Sequence, residues 1–145
     1  MPKQGTELEI YHAITETELA LPLVNSAISA GFPSPALDFI DLSIDLNRHL
    51  IQHPSATFYG RVKGQSMKDA GIHDGDLLII DKSLEPVSGK IAVCCIDGDF
   101  TLKRIRIDAG ELWLMPANDS YSPIKVDECN DLRIWGIVTH VIKSV

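Results

Sequence analysis

The sequence predicts a mainly β protein, in which a compact antiparallel sheet domain is preceded by a mobile N-terminal arm with short helical pieces. Three observations lead to this fold class. Apolar runs separated by Gly, Asp, Asn and Pro follow one another after Pro54, as in strands joined by turns. Before that residue, Pro22, Pro33 and Pro35 interrupt any long helix. A hydrophobic content of 45% supports a folded core.

The predicted domains are an arm over residues 1–54 and a sheet domain over residues 55–145. In the arm, apolar residues at loosely helical spacing predict a helix from Leu37 to Ile51. Six strands are predicted in the sheet domain, namely Thr57 to Val62, Leu77 to Asp81, Lys90 to Ile96, Asp99 to Ile107, Glu111 to Met115 and Leu132 to Ile142.

Composition and charge exclude several classes of function. A net charge of -7 disfavours a protein that coats phosphate backbones, so we expect no direct sequence-specific DNA binding. Without an apolar run long enough to cross a bilayer, and with an acidic rather than basic N-terminal stretch, the chain is expected to be cytoplasmic and not in a membrane. The 3 cysteines and 5 histidines have no metal-ligand spacing, so neither a metal nor another cofactor is expected.

A tight hairpin is predicted at Asp97-Gly98, the residue pair that a two-residue type I′ turn prefers. If Ile96 faces Asp99, the opposite pairs further along are Cys94 with Thr101 and Ala92 with Lys103. Lys103 then shares one face of the sheet with small and apolar residues, namely Ala92, Cys94, Thr101 and Ile105. The aspartates of this turn and of Asp74-Gly75-Asp76 are explained by turn chemistry, because neither has the spacing of a calcium loop.

A lysine on such a face suits one kind of chemistry. A serine hydroxyl is a weak nucleophile until a base takes its proton, and an amine is a base only when neutral, a state that an apolar environment favours. Lys103 is therefore a candidate base, and Ser66, in the bend Gly64-Gln65-Ser66-Met67, is a candidate nucleophile. Taken alone, each has a simpler explanation, since strand lysines commonly extend to water and serines commonly sit in turns.

The run from Ser55 to the C-terminus resembles the catalytic domain of the LexA and UmuD family. The matching segments, in order, are Gly64-Gln65-Ser66-Met67, Asp74-Gly75-Asp76-Leu77-Leu78-Ile79, Asp97-Gly98-Asp99-Phe100-Thr101-Leu102-Lys103-Arg104, Pro116-Ala117-Asn118, Tyr121-Ser122-Pro123-Ile124 and Gly136-Ile137-Val138. The resemblance implies a LexA-like peptidase fold and a self-cleaving serine peptidase, with Ser66 as nucleophile and Lys103 as base. It also implies an oxyanion hole formed by the backbone N–H groups of Gln65 and Ser66, and a scissile bond between Ala30 and Gly31.

Within this family the UmuD branch is the nearer likeness, because the 30 residues before Gly31 are too few for a helix-turn-helix domain. The likeness implies a protein of the DNA-damage (SOS) response whose cleavage is promoted by RecA filaments on single-stranded DNA. The shortened product would be an accessory subunit of a UmuC-type Y-family translesion polymerase. A homodimer is also implied, and the apolar run from Ile134 to Val138 would favour one if it lay at a sheet edge.

Three alternative interpretations remain. The domain could be a catalytically silent dimeric interaction module for a polymerase or for RecA. It could belong to the signal peptidases, which also use Ser and Lys but need a membrane anchor. Finally, His73 could replace Lys103 in a Ser-His-Asp triad, although only its nearness to Ser66 in the sequence favours it.

Overall fold

The structure, a computed structural model, describes residues 7–12, 20–24, 40–65, 67–115, 122–127 and 132–145. The chain forms two compact units, one of Met1–Ala13 with Ser55–Val145 and one of Ile14–Pro54. The described elements are β1 (Glu7–His12), β2 (Ala20–Val24), β3 (Ile40–Asp45), α1 (Leu46–Leu50), β4 (Thr57–Lys63), β5 (Leu77–Asp81), β6 (Ile91–Ile96), β7 (Asp99–Asp108), β8 (Glu111–Met115), β9 (Ile124–Lys125) and β10 (Leu132–Ile142). Short 3-10 turns also cover Pro54–Ala56 and Lys68–Ala70.

The first unit contains one antiparallel sheet of 8 strands in the order β1-β4-β5-β10-β6-β7-β8-β9. This architecture confirms the predicted mainly β class. All six strands predicted after Pro54 are present, and their ends differ from the prediction by at most a residue. β9 was not predicted, since two residues are too short to show an alternating pattern.

The second unit corrects the prediction for the end of the arm. The helix predicted from Leu37 to Ile51 is wrong over Ile40–Asp45, which forms β3 and pairs antiparallel with β2. Apolar and polar residues alternate strictly in this segment, a period that suits a strand better than a helix. Only Leu46–Leu50 is helical, and the side chain of Asp45 caps it by accepting a hydrogen bond from the backbone N–H of Asn47 at 3.0 Å. No helix in the described ranges is long and apolar enough to cross a membrane.

Two hydrophobic clusters fill the sheet unit. The first core consists of Val62, Met67, Ile72, Leu78, Ile80, Val93, Leu102 and Val138, with Leu8, Ile10 and other partly buried residues packed against it. The second core consists of Ala92, Cys94, Ile105, Leu114, Leu132 and Ile137. Side chains along β7 alternate between the two faces of the sheet. Leu102 therefore packs in the first core and Ile105 in the second, so this strand contributes to both.

β10 lies inside the sheet, between β5 and β6. The apolar run from Ile134 to Val138 therefore does not form a sheet edge, and the edge-pairing argument for a homodimer is wrong. Trp135, the aromatic residue of this run, packs against Phe58 and Phe100, and the distances between ring centroids are 5.0 and 5.3 Å. The Lys82 ammonium lies 4.7 Å from the centre of the Trp135 ring, close enough for a cation–π interaction.

Gly136 of β10 lies against the side chain of Ile80 in β5. A Cβ atom at this position would lie 2.6 Å from Cγ2 of Ile80. We therefore expect Gly136→Ala to lower the free energy of unfolding by about 1 to 3 kcal/mol, the usual cost of overpacking a core. Urea unfolding followed by tryptophan fluorescence measures this loss.

A double-variant cycle separates that contact from a general weakness of the strand. Ile80→Ala removes the methyl group that clashes, so the two substitutions together should cost less than the sum of their separate costs. Strictly additive costs would contradict the close approach of Gly136 to Ile80.

Candidate active site

The β6–β7 hairpin has the predicted turn and the predicted register. Asp97 and Gly98 have φ angles of 50° and 83°, as a type I′ turn requires at both central positions. The observed pairs include Ile96 with Asp99, Cys94 with Thr101 and Ala92 with Lys103, which confirms the predicted alignment. Lys103 thus lies on the sheet face that carries the second core.

Lys103 is half-buried, and its nearest neighbours on that face are apolar. Ala92, directly opposite, and Cys94, diagonally opposite, are 0% exposed, and Ile105, two residues along β7, is 1% exposed. Within the described ranges, the Lys103 ammonium has neither a hydrogen bond nor an ion pair. Loss of its proton would therefore break no salt bridge there, as the proposed base requires.

The thiol of Cys94 is fully buried on this face. Burial raises the pKa of Cys94 to about 12, although the nearby positive charge of Lys103 opposes the rise. At neutral pH the thiol is protonated, so Cys94 is neither a nucleophile nor a counter-ion for Lys103. The electrostatic interaction between the two side chains also places the lysine charge close to the buried sulfur.

Of the predicted site residues, Ser66, Ala30 and Gly31 lie outside the described residues, but both neighbours of Ser66 are described. Gln65 is exposed, whereas Met67 is 3% exposed and belongs to the first core. The carbonyl oxygen of Met67 accepts hydrogen bonds from the N–H groups of Ala70 at 3.0 Å and Ile72 at 3.1 Å. The chain is therefore firmly anchored on the C-terminal side of the predicted nucleophile.

The two predicted catalytic residues each adjoin a residue of the same core. Met67 follows Ser66 in the sequence, Leu102 precedes Lys103, and both side chains pack in the first core. Both chain segments therefore border the first core, although the sheet order separates β4 from β7 by three strands.

Asp74 anchors the chain on the N-terminal side of the predicted nucleophile. Its Oδ1 atom accepts a hydrogen bond of 2.7 Å from the backbone N–H of Gly64. The β4–β5 register, which pairs Thr57 with Asp81, places Gly64 opposite Asp74 when it is extended beyond the strands. Turn chemistry and the family resemblance account for Asp74 in the sequence, and the β4–β5 register adds its role as an anchor of Gly64.

His73 does not have the partners of a triad histidine among the described residues. Its ring Nδ1 lies 3.0 Å from Nζ of Lys143, an ammonium that can only donate, so Nδ1 accepts this hydrogen bond. The carboxylate of Asp76 accepts a hydrogen bond from the backbone N–H of His73 at 2.8 Å rather than from its ring. These contacts argue against the Ser-His-Asp alternative.

Asp76 and Lys143 connect the turn before β5 to the chain beyond β10. Asp76 is 6% exposed, and its Oδ2 atom accepts a hydrogen bond from Nζ of Lys143. Burial alone would raise the pKa of Asp76, but hydrogen bonds from Lys143 and from the His73 backbone, with the positive charge of Lys143, hold it below its ordinary value of 3.8. No local motif could have predicted this pair, because 67 residues separate its members.

Comparison with known proteins gives two further findings. The sequence model of the family described as Peptidase S24-like matches residues 22–139. Protein MucA of Salmonella typhimurium is 43% identical over 122 residues, which cover 83% of this chain and 83% of MucA. Protein SamA of the same organism is 41% identical over 121 residues, which cover 83% of this chain and 84% of SamA.

A longer relative is also similar to most of this chain. The LexA repressor of Aeromonas hydrophila is 40% identical over 128 residues, which cover 88% of this chain but 61% of the repressor. The repressor therefore contains a substantial part without a counterpart in the alignment.

The ion pair between Asp76 and Lys143 makes stability depend on pH. Asp76→Asn should lower the free energy of unfolding at pH 7 by about 1 to 3 kcal/mol, because it removes a charge-assisted hydrogen bond from a buried site. The pKa of Asp76 is lowered by folding, so its carboxylate stabilises the fold above the ordinary value of 3.8 and loses this effect as the pH falls through the folded value. The difference in the free energy of unfolding between wild type and variant, measured by urea unfolding, should therefore shrink below about pH 4.

Asp69→Asn is the matched control, since Asp69 is an exposed carboxylate in the same loop. It should change the free energy of unfolding by no more than about 0.5 kcal/mol. A wild-type advantage over Asp76→Asn that persists unchanged at about pH 2 would contradict the role of the ion pair.

Proposed function

Because this chain belongs to the Peptidase S24-like family, we propose that it is a serine peptidase that cleaves its own chain between Ala30 and Gly31. The family match spans both the proposed scissile bond and the proposed catalytic residues Ser66 and Lys103. The bond joins two small residues, which lets the backbone enter a narrow cleft.

The environment of Lys103 carries this proposal. A half-buried lysine on an apolar face, without a counter-charge among the described residues, is poorly placed to support the fold through ion pairing. A general base needs an amine that no ion pair holds, and no ion pair among the described residues holds Lys103. The anchored segments on both sides of Ser66 support the other half of the dyad, because a nucleophile must be held in a fixed position.

In the proposed reaction, neutral Lys103 takes the proton from the Ser66 hydroxyl as Oγ attacks the carbonyl carbon of Ala30. The backbone N–H groups of Gln65 and Ser66 stabilise the resulting oxyanion. When the intermediate collapses, the Lys103 ammonium returns the proton to the nitrogen of Gly31, which leaves as an amine. A water molecule, deprotonated by the same lysine, then hydrolyses the ester between Ser66 and Ala30 and regenerates the enzyme.

The wider role follows from the family resemblance. In this proposal the chain is a cytoplasmic homodimer of the DNA-damage response, and RecA filaments on single-stranded DNA promote its cleavage. The shortened form then serves as an accessory subunit of a UmuC-type Y-family polymerase. The similarity to MucA and SamA over most of their lengths, rather than only to the longer LexA repressor, supports this branch of the family.

The first test of the proposal is the cleavage product and its dependence on the dyad. Purified protein at alkaline pH, or with RecA, a nucleotide analogue and single-stranded DNA, should yield a fragment whose N-terminal residue is Gly31. Ser66→Ala and Lys103→Ala should each slow this cut by at least about 100-fold, since each removes a partner in proton transfer. Mass spectrometry and N-terminal sequencing measure both results.

Lys103→Arg is the sharpest variant, because it keeps a positive charge and a long side chain but cannot lose its proton at these pH values. It should be as inactive as Lys103→Ala. Normal cleavage by Lys103→Arg, or a fragment that begins elsewhere, would refute the dyad or the scissile bond. An intact chain under all conditions would favour the catalytically silent interaction module.

The pH dependence of cleavage tests the role of Lys103 as a base. Unassisted cleavage should rise with pH as the amine loses its proton and then level off. Thr101 is half-buried on the same sheet face, two residues before Lys103, so Thr101→Asp places a carboxylate where it stabilises the ammonium. The midpoint of the rise should move up by roughly one pH unit.

Thr101→Asn is the matched control, because it has the size of the aspartate without its charge. The midpoint of its pH profile of cleavage should equal that of the wild type. A profile of Thr101→Asp that coincides with that of Thr101→Asn would contradict a catalytic lysine on this face.

A further inference from the structure

The first strand of the sheet belongs to the part of the chain that the proposed cleavage would remove. Among the described strands, β1 lies at one edge of the eight-stranded sheet and pairs with β4 alone. Its register places Leu8 opposite Val62 and Ile10 opposite Gly60. β1 is thus an edge strand contributed from upstream of the bond between Ala30 and Gly31.

The backbone N–H and C=O groups of β4 point in alternation toward its two neighbouring strands, β5 and β1. The N–H and C=O groups of Val62 bond to Asp76 and Gly75, on the side of β5. Because successive residues of a strand direct these groups to opposite sides, Tyr59 and Arg61 direct theirs toward β1. Without β1, these groups would have no strand partner among the described residues and would form an open sheet edge.

β1 also completes the hydrophobic packing at this edge. Leu8 and Ile10 are partly buried against the first core, which includes Val62. Since side chains alternate along a strand, the residues between them belong to the other face. A segment that occupies this edge therefore needs apolar residues at every second position.

The charges of the two strands are complementary in register. Glu7 lies opposite Lys63, and Glu9 lies opposite Arg61. Opposite charges in cross-strand pairs stabilise a sheet, and they also favour one register over its neighbours. The edge of β4 therefore favours a segment in which acidic residues alternate with apolar ones.

Cleavage would change how strongly β1 is held. In the intact chain a covalent connection keeps the strand near β4, so its effective concentration there is high. After a cut at residue 30, β1 would be part of a separate peptide and would have to bind from solution. That peptide would carry two short strands, β1 paired with β4 and β2 paired with β3, neither of them any longer tethered to the sheet. Short strands bind weakly from solution, and the edge of β4 would become available to other segments.

We infer that the edge of β4 is a docking site for an extended partner segment with alternating acidic and apolar residues, and that β1 occupies this site until cleavage releases it. The release step rests on the proposed self-cleavage, whereas the docking site depends only on the pairing of β1 with β4. The partner adds a strand antiparallel to β4, with two apolar side chains in the places of Leu8 and Ile10.

The test uses the full chain with Ser66→Ala, so that cleavage cannot occur during the measurement. In a second form, Leu8→Asp and Ile10→Asp are added to release β1 from the sheet. The probe is a fluorescent peptide with the sequence of residues 5–13. The peptide should bind the released form at least about 10-fold more tightly than the intact form, because tethered β1 competes for the same edge.

Amide hydrogen exchange shows whether the released form is folded and which edge is open. Exchange should accelerate at Tyr59 and Arg61 but remain slow at Gly60 and Val62, which bond toward β5. The wild-type chain after self-cleavage should give the same alternating pattern. If the chain does not cleave itself but the released form behaves as described, the docking site stands and only the proposed peptidase function fails.

Two altered peptides serve as matched controls. A peptide with Leu8→Asp and Ile10→Asp should not bind, and one with Glu7→Lys and Glu9→Lys should bind at least about 10-fold more weakly at low salt. Equal binding to the intact and released forms, or slow exchange at Tyr59 and Arg61 in the released form, would overturn the inference. Self-association of the released form without peptide binding, detected by light scattering, would assign the edge to a second copy and refute the partner segment.

Discussion

The register of the β6–β7 hairpin is the constraint on which the candidate site depends. A two-residue turn at Asp97 and Gly98 leaves one alignment of the strands, and that alignment sets Lys103 among the buried residues of the second core. A slip by one residue would turn Lys103 to the opposite face and bring Arg104 into its place. A guanidinium cannot act as a base at physiological pH, so this turn is as important to the proposed chemistry as the lysine.

The remaining strands hold two distant segments around a common core. Met67 and Leu102 adjoin the proposed nucleophile and base, and their side chains both belong to the first core. Asp74 fixes the turn before Ser66 through the backbone of Gly64, while Asp76 ties the end of the same loop to Lys143. A serine and a lysine far apart in sequence can work together only if such contacts limit the motion of both segments.

Features that depend on residues close together in the chain were predicted correctly. Features that depend on contacts between distant segments were not. The strands after Pro54 and the hairpin register follow from alternation and turn chemistry, which a single chain displays. The central position of β10 and the pair Asp76–Lys143 depend on which strands meet, and no local pattern contains that information. β1 was not predicted, although acidic and apolar residues alternate in it, because only short helical pieces were expected in the arm.

The place of β1 would give the proposed self-cleavage a consequence beyond a shorter chain. In the uncut protein, the arm would supply both the proposed scissile bond and β1, the strand that covers β4. The edge of β4 would therefore be open only after that bond is cut. An exposed sheet edge invites pairing with other chains, and a covering strand from the same chain prevents this until it is removed. The rest of the sheet can lose β1 because β4 remains paired with β5. Cleavage would therefore expose a binding edge on a sheet whose other pairings stay in place.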